Sequence, residues 1–303
     1  MNKVLLTGAS GFLGGYICKE FQNRGIAYET LGRSNSNDIV TELGVKPIKL
    51  ELDYETVVHC AGKAHLVPIN ESEAKDFFDV NVEGTKNLLM ALEKNIYKLK
   101  NFVFISTVSV YGRIEGDLVK EEDSLLAEDP YGKSKIICEN LLNTWCRDHQ
   151  VKLTILRIPL LIGKNAPGNL GAMINGMKKG FYFNIDGGHA RKSMVLAEDV
   201  AKFIPDVFGK AGIFNLTDGY HPSFKELSDE IGKTLQLRAR NMSYFAAKSL
   251  AVTGDLIGRK FPIDSKRLQK IISKLTFDDQ KARNQIGWNP RLVLNEMKNL
   301  LIK

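Results

Sequence analysis

Three residues of this chain have the types and spacing for proton transfer. Tyr131 and Lys135 stand four apart in Asp129-Pro130-Tyr131-Gly132-Lys133-Ser134-Lys135. Asp129 reads as a helix N-cap and Pro130 as the first helical residue, so both side chains leave one helix face. A phenol with an ordinary pKa of about 10 is a poor base at neutral pH, but a neighbouring ammonium favours the phenolate. Thr107 ends the apolar run Phe102–Ser106 and offers a hydroxyl that could bond both a reacting oxygen and Tyr131. Such a set could move a hydroxyl proton while hydride leaves or reaches the same carbon. Taken singly, a Tyr-x-x-x-Lys pair also fits a surface helix, and a strand-end threonine also fits a cap.

Hydride needs a carrier, and the N-terminus holds a turn suited to one. Gly8, Gly11 and Gly14 follow the strand-like run Val4–Leu6 at a spacing of three and open a helix at Phe12. Glycine there lets backbone approach a pyrophosphate, whose charge meets free N–H groups and the helix dipole. A glycine turn kept only for packing is the bland alternative. NAD-binding folds carry a carboxylate about 20 residues further on. Here the second strand ends Leu31-Gly32-Arg33-Ser34 without one. Arg33 and Ser34 suit a 2′-phosphate, which makes NADP(H) the expected cofactor. NAD is the alternative, with Arg33 stacked on adenine or turned to solvent.

The elements that must position these residues alternate along the first half. Strand-like runs Val4–Leu6, Tyr28–Leu31, Val57–Ala61, Phe102–Ser106 and Leu153–Ile158 are interleaved with helical patterns Phe12–Asn23, about Glu73–Asn95 and Pro130–His149. That order predicts an α/β fold with a Rossmann-like, doubly wound parallel sheet, whose ligands sit at the carboxyl ends of the strands. Between Leu31 and Thr56 the chain is too short and turn-rich for a full crossover helix. Beyond Ile158 the pattern loosens into a smaller C-terminal substrate lobe. The expected division is 1–165 for the dinucleotide domain, with 192–217 returning to it, and 166–191 plus 218–303 for the lobe.

The 303 residues are 44% apolar and 25% charged, which excludes a disordered or disulfide-scaffold protein. Charge is unevenly spread. Residues 1–150 hold 17 Lys and Arg against 22 Asp and Glu, so the chain's net +7 resolves into −5 followed by +12. Cys18, Cys60, Cys138 and Cys146 form no C-x-x-C pair, so buried free thiols and no metal are expected. No signal peptide or spanning segment is visible, which points to the cytoplasm. The dispersed basic residues lack the aromatic interleaving of an RNA-binding surface, so no nucleic-acid partner is expected. The segment Tyr244–Gly258 mixes Phe245, Leu250, Val252, Leu256 and Ile257 with Lys248, and is followed by Arg259-Lys260. It reads as a helix packed on the lobe or as a peripheral membrane contact.

With these motifs assembled, the chain resembles the extended short-chain dehydrogenase/reductases of the nucleotide-sugar epimerase/dehydratase family. The resemblance runs from Lys3 to about Leu292. It rests on T-G-x-x-G-F-x-G (Thr7–Gly14), V-V-H-x-A-G (Val57–Gly62), N-V-x-G-T (Asn81–Thr85), S-T-x-S-V-Y-G (Ser106–Gly112), the Tyr131/Lys135 pair and R-x-x-x-G-W-x-P (Arg283–Pro290). It implies a catalytic triad of Thr107, Tyr131 and Lys135. The cofactor would lie along Gly8, Ser10, Gly11, Phe12, Leu13 and Gly14, reach Arg33, Ser34, Asp38 and Ile39 at the adenosine end, and be bordered by Ala61, Gly62, Lys63, Asn81 and Ile105. Lys135 would also hold the nicotinamide ribose, with Ile158 and Pro159 beside the ring. Asn169 and Arg191 match family residues that hold the substrate diphosphate, and a homodimer through the 73–95 and 130–149 helices is implied.

Departures narrow the chemistry that the resemblance implies. The 4,6-dehydratases carry Asp-Glu after the catalytic threonine, where this chain has Val108-Ser109, and common 4-epimerases carry asparagine where Leu160 stands. The runs Leu156–Leu160 and Arg191–Val195 look like reductases and epimerases of UDP-N-acetylhexosamines in bacterial surface-polysaccharide synthesis. The expected activity is therefore hydride transfer at C4 of a UDP-sugar, as a 4-ketoreductase drawing on NADPH, with a 4-epimerase retaining NAD as the alternative. A non-catalytic dinucleotide sensor is the alternative of another class, and the intact Thr107, Tyr131 and Lys135 argue against it.

Overall fold

The computed structural model describes residues 3–45, 48–50, 53–64, 68–164, 169–258, 261 and 263–301. Along the chain lie β1 (Val4–Thr7), α1 (Phe12–Asn23), β2 (Tyr28–Gly32), β3 (Ile39–Val40), β4 (Thr56–His59), α2 (Glu71–Phe77), α3 (Gly84–Leu92), β5 (Asn101–Thr107), β6 (Gly116–Val119) and α4 (Pro130–Asp148). They are followed by β7 (Lys152–Ile158), β8 (Leu160–Ile162), α5 (Asn169–Lys178), β9 (Phe183–Ile185), β10 (Met194–Leu196), α6 (Ala197–Phe203), β11 (Gly212–Asn215) and α7 (Phe224–Leu235). The chain ends in β12 (Arg240–Met242), α8 (Tyr244–Ile257), α9 (Ser265–Ile272), β13 (Leu275–Phe277), α10 (Gln280–Ile286) and α11 (Val293–Leu301).

Alternating apolar side chains decide the layers. Leu6, Val58, Val103, Ile105, Leu156 and Ile158 face one side of the sheet, packing with Ile17 and Phe21 of α1 and Val200 and Phe203 of α6. Leu5, Val57, Phe102, Phe104 and Ile155 face the other, packing with Leu88 and Leu92 of α3 and Leu142 and Trp145 of α4. Strands apolar on both faces need helices on both faces, hence the doubly wound arrangement. The main sheet has seven strands in the order β11-β7-β5-β4-β1-β2-β3, and every pair is parallel. From β1 the chain winds outward through β2 and β3, and from β4 it winds the opposite way. The crevice at the carboxyl ends of β1 and β4, where Thr7 pairs with His59, is therefore the switch point at which ligands bind.

Two local departures bear on the site. Parallel neighbours normally need a crossover of a dozen residues or more, yet β2 and β3 are joined by Arg33–Asp38 alone. A side-chain tie does the work of the missing helix, as expected from the short Leu31–Thr56 stretch. The Asp38 carboxylate accepts from Thr30 N–H and Oγ1 (both 2.8 Å), and Asp38 N–H donates back to Thr30 Oγ1 (2.9 Å). The helix expected as one piece over Glu73–Asn95 instead starts at Glu71, capped by Asn70 (Glu73 N–H, 2.8 Å), and passes through a π-helical segment, Phe78–Glu83, before α3. Segments of this kind are frequent at functional sites, and this one carries the buried Asn81.

Among the described residues no helix is long and apolar enough to cross a membrane, no acidic, histidine or cysteine cluster could hold a metal, and all four cysteines are free. The expected domain boundary at 165/166 lies outside the described residues, as do Arg259 and Lys260.

Candidate active site

The expected proton-transfer residues converge at the carboxyl end of β5. Asp129 caps α4 through Gly132 N–H (3.0 Å), with Pro130 in the first turn, which fixes where Tyr131 and Lys135 emerge. Lys135 is 5% exposed. Its ammonium donates to the Ile105 carbonyl (2.9 Å) and stands 4.5 Å over the Phe104 ring. Burial lowers its pKa, partly offset by the nearby Cys138, Cys60 and Glu139 side chains. Thr107 Oγ1 accepts from Ser109 N–H (3.1 Å) and donates to Ser109 Oγ (3.2 Å), capping the short turn Val108–Tyr111. Burial pushes the Tyr131 phenol up to about 12, and a hydrogen bond with Thr107 pulls it back. Thr107 thus serves both as the cap and as the partner of Tyr131.

A chain of buried hydrogen bonds ties the glycine turn to this centre. Ala61 N–H donates to Thr7 Oγ1 (3.1 Å), which meets His59 Nδ1 (2.7 Å), and His59 Nε2 meets Thr85 Oγ1 (3.0 Å), which donates to the Asn81 carbonyl (2.6 Å). The Thr85 proton goes to Asn81, so His59 carries a proton on Nε2. Burial, which holds His59 down to about 3, keeps the ring neutral. The Asn81 side chain then accepts from Lys63 N–H (2.7 Å) and donates to Ser134 Oγ (2.8 Å) on α4.

Beneath the centre lies a second network. Glu139, eight residues after Tyr131 on the same helix, accepts from Ser106 Oγ (2.5 Å) and from Arg157 Nε (3.1 Å) and a terminal nitrogen (2.7 Å). Arg157 also reaches Tyr111 Oη (3.0 Å), which donates to Asn215 Oδ1 (2.8 Å). One carboxylate therefore joins α4, β5 and β7, the three elements that present Tyr131, Thr107 and Ile158.

A cleft of about 700 Å³ opens over these residues. Of the expected residues, Gly8, Gly11, Phe12, Leu13, Gly62, Ile105, Thr107, Tyr131, Lys135, Ile158 and Pro159 line it. Gly8 has φ +77°, and a Cβ there would lie 2.6 Å from Ala61 N; a Cβ on Gly14 would lie 2.0 Å from Gly8 O. Those two glycines are required by packing. Gly11 precedes α1, whose first N–H groups have no side-chain cap and open on the cleft. An uncapped twelve-residue helix facing a cleft fits a dinucleotide pyrophosphate. Ser10 is exposed beside it.

Other expected residues lie elsewhere. Lys63 turns its ammonium to Asp76 (2.6 Å), and Ala61 contributes its backbone. Arg33 is exposed with no ion pair among the described residues, Ser34 bonds Ser36 (2.8 Å), and Asp38 and Ile39 hold the β2–β3 edge. The Asn169 side chain lies outside the described residues. Arg191 is not among the cleft-lining residues: it donates to His221 O (3.0 Å), stacks on Tyr220 (5.4 Å) and faces Glu226 (3.6 Å).

Two lysines that the sequence reading passed over take that place. Lys192 and Lys270 line the cleft, and neither ammonium has a carboxylate partner among the described residues. Burial, with the Lys270 charge adding to it, lowers Lys192 to about 8. Lys192 follows Arg191 directly and could have been weighed with it, whereas nothing local marks Lys270, which reaches the cleft through the fold of α9. Val108 and Ser109 also line the cleft, and neither can serve as the acid or base of water elimination.

The model of the NAD dependent epimerase/dehydratase family matches residues 4–212. The chain belongs to that family. It is thus a nucleotide-sugar epimerase/dehydratase-type enzyme of the extended short-chain dehydrogenase/reductase class. One curated relative, the N-acetyl-alpha-D-glucosaminyl-diphospho-ditrans,octacis-undecaprenol 4-epimerase of Escherichia coli O157:H7, is 26% identical over 93% of this chain and 89% of its own length. The UDP-glucose 4-epimerase of Vibrio cholerae is 27% identical over 97% and 92%. Among solved structures, the UDP-glucose 4-epimerase of Thermus thermophilus in complex with NAD superposes with a TM-score of 0.74 at 19% identity, covering 99% of this chain and 97% of its own.

Proposed function

We propose that this chain exchanges hydride and a proton at C4 of a sugar carried on a diphosphate, in the 4-epimerase mode, with Tyr131 as the proton-transfer group. The observation that carries the reading is one cleft shared by Thr107, Tyr131 and Lys135 with the unpaired ammonium groups of Lys192 and Lys270. The Lys270 charge adds to the burial that lowers the proton affinity of Lys192, a strain that a dianion would relieve, and a diphosphate is such a group. Both curated relatives named above are 4-epimerases, one of a UDP-sugar and the other of a diphospho-undecaprenol sugar.

Tyr131 takes the C4 hydroxyl proton as hydride leaves that carbon and returns it when hydride comes back. Thr107 steadies both the phenol and the sugar oxygen, and the Lys135 ammonium lowers the cost of the phenolate. A dinucleotide would be held along the glycine turn, with Arg33, Ser34, Asp38 and Ile39 at the adenosine end, and would supply the hydride acceptor and donor. Ile105, Ile158 and Pro159 wall the reacting face, and Gly62, Lys63 and Asn81 border it. Arg191 and Asn169 stand second to Lys192 and Lys270 as diphosphate contacts. Four free thiols support a reducing compartment, the cytoplasm. The exposed Met90 on α3 and Ile137 on α4 support a homodimer through those helices.

A second reading, net 4-ketoreduction with NADP(H), is favoured by the exposed, unpaired Arg33 guanidinium and by Leu160 in the cleft. Denaturing the purified protein and identifying the released nucleotide separates the two. Stoichiometric NAD supports epimerisation, whereas nucleotide-free protein that consumes NADPH with a 4-keto UDP-sugar supports reduction. Turnover that survives Tyr131→Phe overturns both.

A further inference from the structure

Helix α8 is amphipathic in the wrong sense for a helix in water. Its packed face is made of the smallest residues, Ala247, Ala251 and Gly254, seated against Leu268 of α9 and the chain at Ile263. Its outer face carries the large ones: Phe245 is 79% and Leu256 85% exposed, with Leu250, Val252 and Ile257 exposed beside them. A surface helix normally buries its bulky apolar residues and shows its polar ones, and a contiguous exposed apolar patch marks a contact surface.

Charge says which contact. Residues 233–274 hold ten Lys and Arg against two Asp, a net of +8 that exceeds the +7 of the whole chain. Both carboxylates are occupied, Asp255 by Ser265 and Asp264 by the start of α9 and Arg267. Arg238 and Arg240 just before α8, Lys248 on it and Lys266 on the adjoining α9 are all exposed. Bulky exposed apolar side chains on a helix in so cationic a stretch of chain are the composition of an interfacial helix on an anionic bilayer. A second copy of the chain would bring the same excess of cations against itself, which disfavours self-association through this face.

We propose that α8 docks the protein on anionic lipid bilayers, with Phe245, Leu256 and Ile257 entering the interface and Lys248 and Lys266 meeting the headgroups. Its consequence for catalysis rests on the glycosyl-diphosphate reading above. The neighbouring α9 lines the cleft with Lys270 and Ile271, so docking would present that cleft to a sugar diphosphate carried on a lipid.

The test is co-sedimentation of the full chain with vesicles of phosphatidylglycerol and phosphatidylcholine, and with phosphatidylcholine alone. Binding to the anionic vesicles only is expected. Phe245→Ser/Leu256→Ser/Ile257→Ser should abolish it, and Lys248→Glu/Lys266→Glu should weaken it by roughly tenfold or more. All variants should keep the wild-type melting temperature and turnover of a soluble UDP-sugar, since these side chains face outward. No sedimentation, or sedimentation that neither variant changes, overturns the proposal. So does a triple variant that lowers the oligomer mass without affecting vesicle binding, which would assign the face to a second copy. A wild-type protein that binds vesicles but turns over no glycosyl diphosphate leaves the docking intact and sinks the catalytic reading.

Discussion

Lys192 is held near neutrality by its surroundings, and that makes it a reporter of substrate binding. Burial, with the Lys270 charge adding to it, lowers it to about 8. Below that pH the side chain is an ammonium and above it a neutral amine. If it meets a diphosphate, kcat/KM should fall as pH rises through about 8, because that ratio follows the free enzyme's titration. Lys192→Gln should remove this alkaline limb and raise KM while leaving kcat nearly unchanged, as expected for uniform binding. A pH–rate profile on a soluble UDP-sugar measures both, and an alkaline limb that persists in the variant would assign it to another group, with Tyr131 the first alternative. Tyr131 itself is pushed up to about 12. Proton transfer near neutrality would need positive charge beside it, and Lys135, four residues on along the same helix, is the cation to which the proposal gives that part.

At the scale of elements, the carboxylate of Glu139 ties α4 to β5 and β7. Its ion pair with Arg157 is almost fully buried, with side chains 2% exposed on both partners. Removing one partner leaves the other charge uncompensated, at about 3–5 kcal/mol. Glu139→Gln should therefore lower unfolding free energy by about that amount in urea titration, and lower kcat beyond what the fraction unfolded explains. An unchanged kcat in the folded variant would confine the network to stability. Much of this level was legible in the sequence. Short apolar runs alternating with helical patterns marked the sheet, the Asp129–Pro130 cap marked the start of α4, and the glycine spacing marked the turn at β1. Three features were not. The π-helical segment around Asn81 arises from a packing adjustment that leaves no composition signal. Glu139 sits at the right helical spacing from Tyr131 and Lys135, but its partner Arg157 lies inside an apolar strand run. Lys192 and Lys270, far apart in sequence, are brought together only when the chain after β7 folds over the ends of the sheet strands.

At the scale of the molecule, charge and apolar surface are segregated. The acidic first half holds five of the seven strands of the sheet, and the basic second half holds α8 and the two cleft lysines, so the cationic side must stay open if it is to meet anions. An association between copies would then use the first half. There α3 and α4 lie side by side, with Thr85 of one reaching Cys138 of the other (3.6 Å), and their outward faces expose Met90 (56%) and Ile137 (41%). Isolated exposed apolar residues are ordinary, but these two stand on adjacent helices beside the segments that present Asn81 and Tyr131. Burying charge at the centre of such an interface is costly. Met90→Asp/Ile137→Asp should therefore convert a dimer to a monomer by sedimentation equilibrium while leaving vesicle binding through α8 intact. An unchanged mass would remove α3 and α4 from the interface. A mass that falls together with vesicle binding would mean that docking requires two copies of α8 on one bilayer, and that each lobe alone binds too weakly to hold.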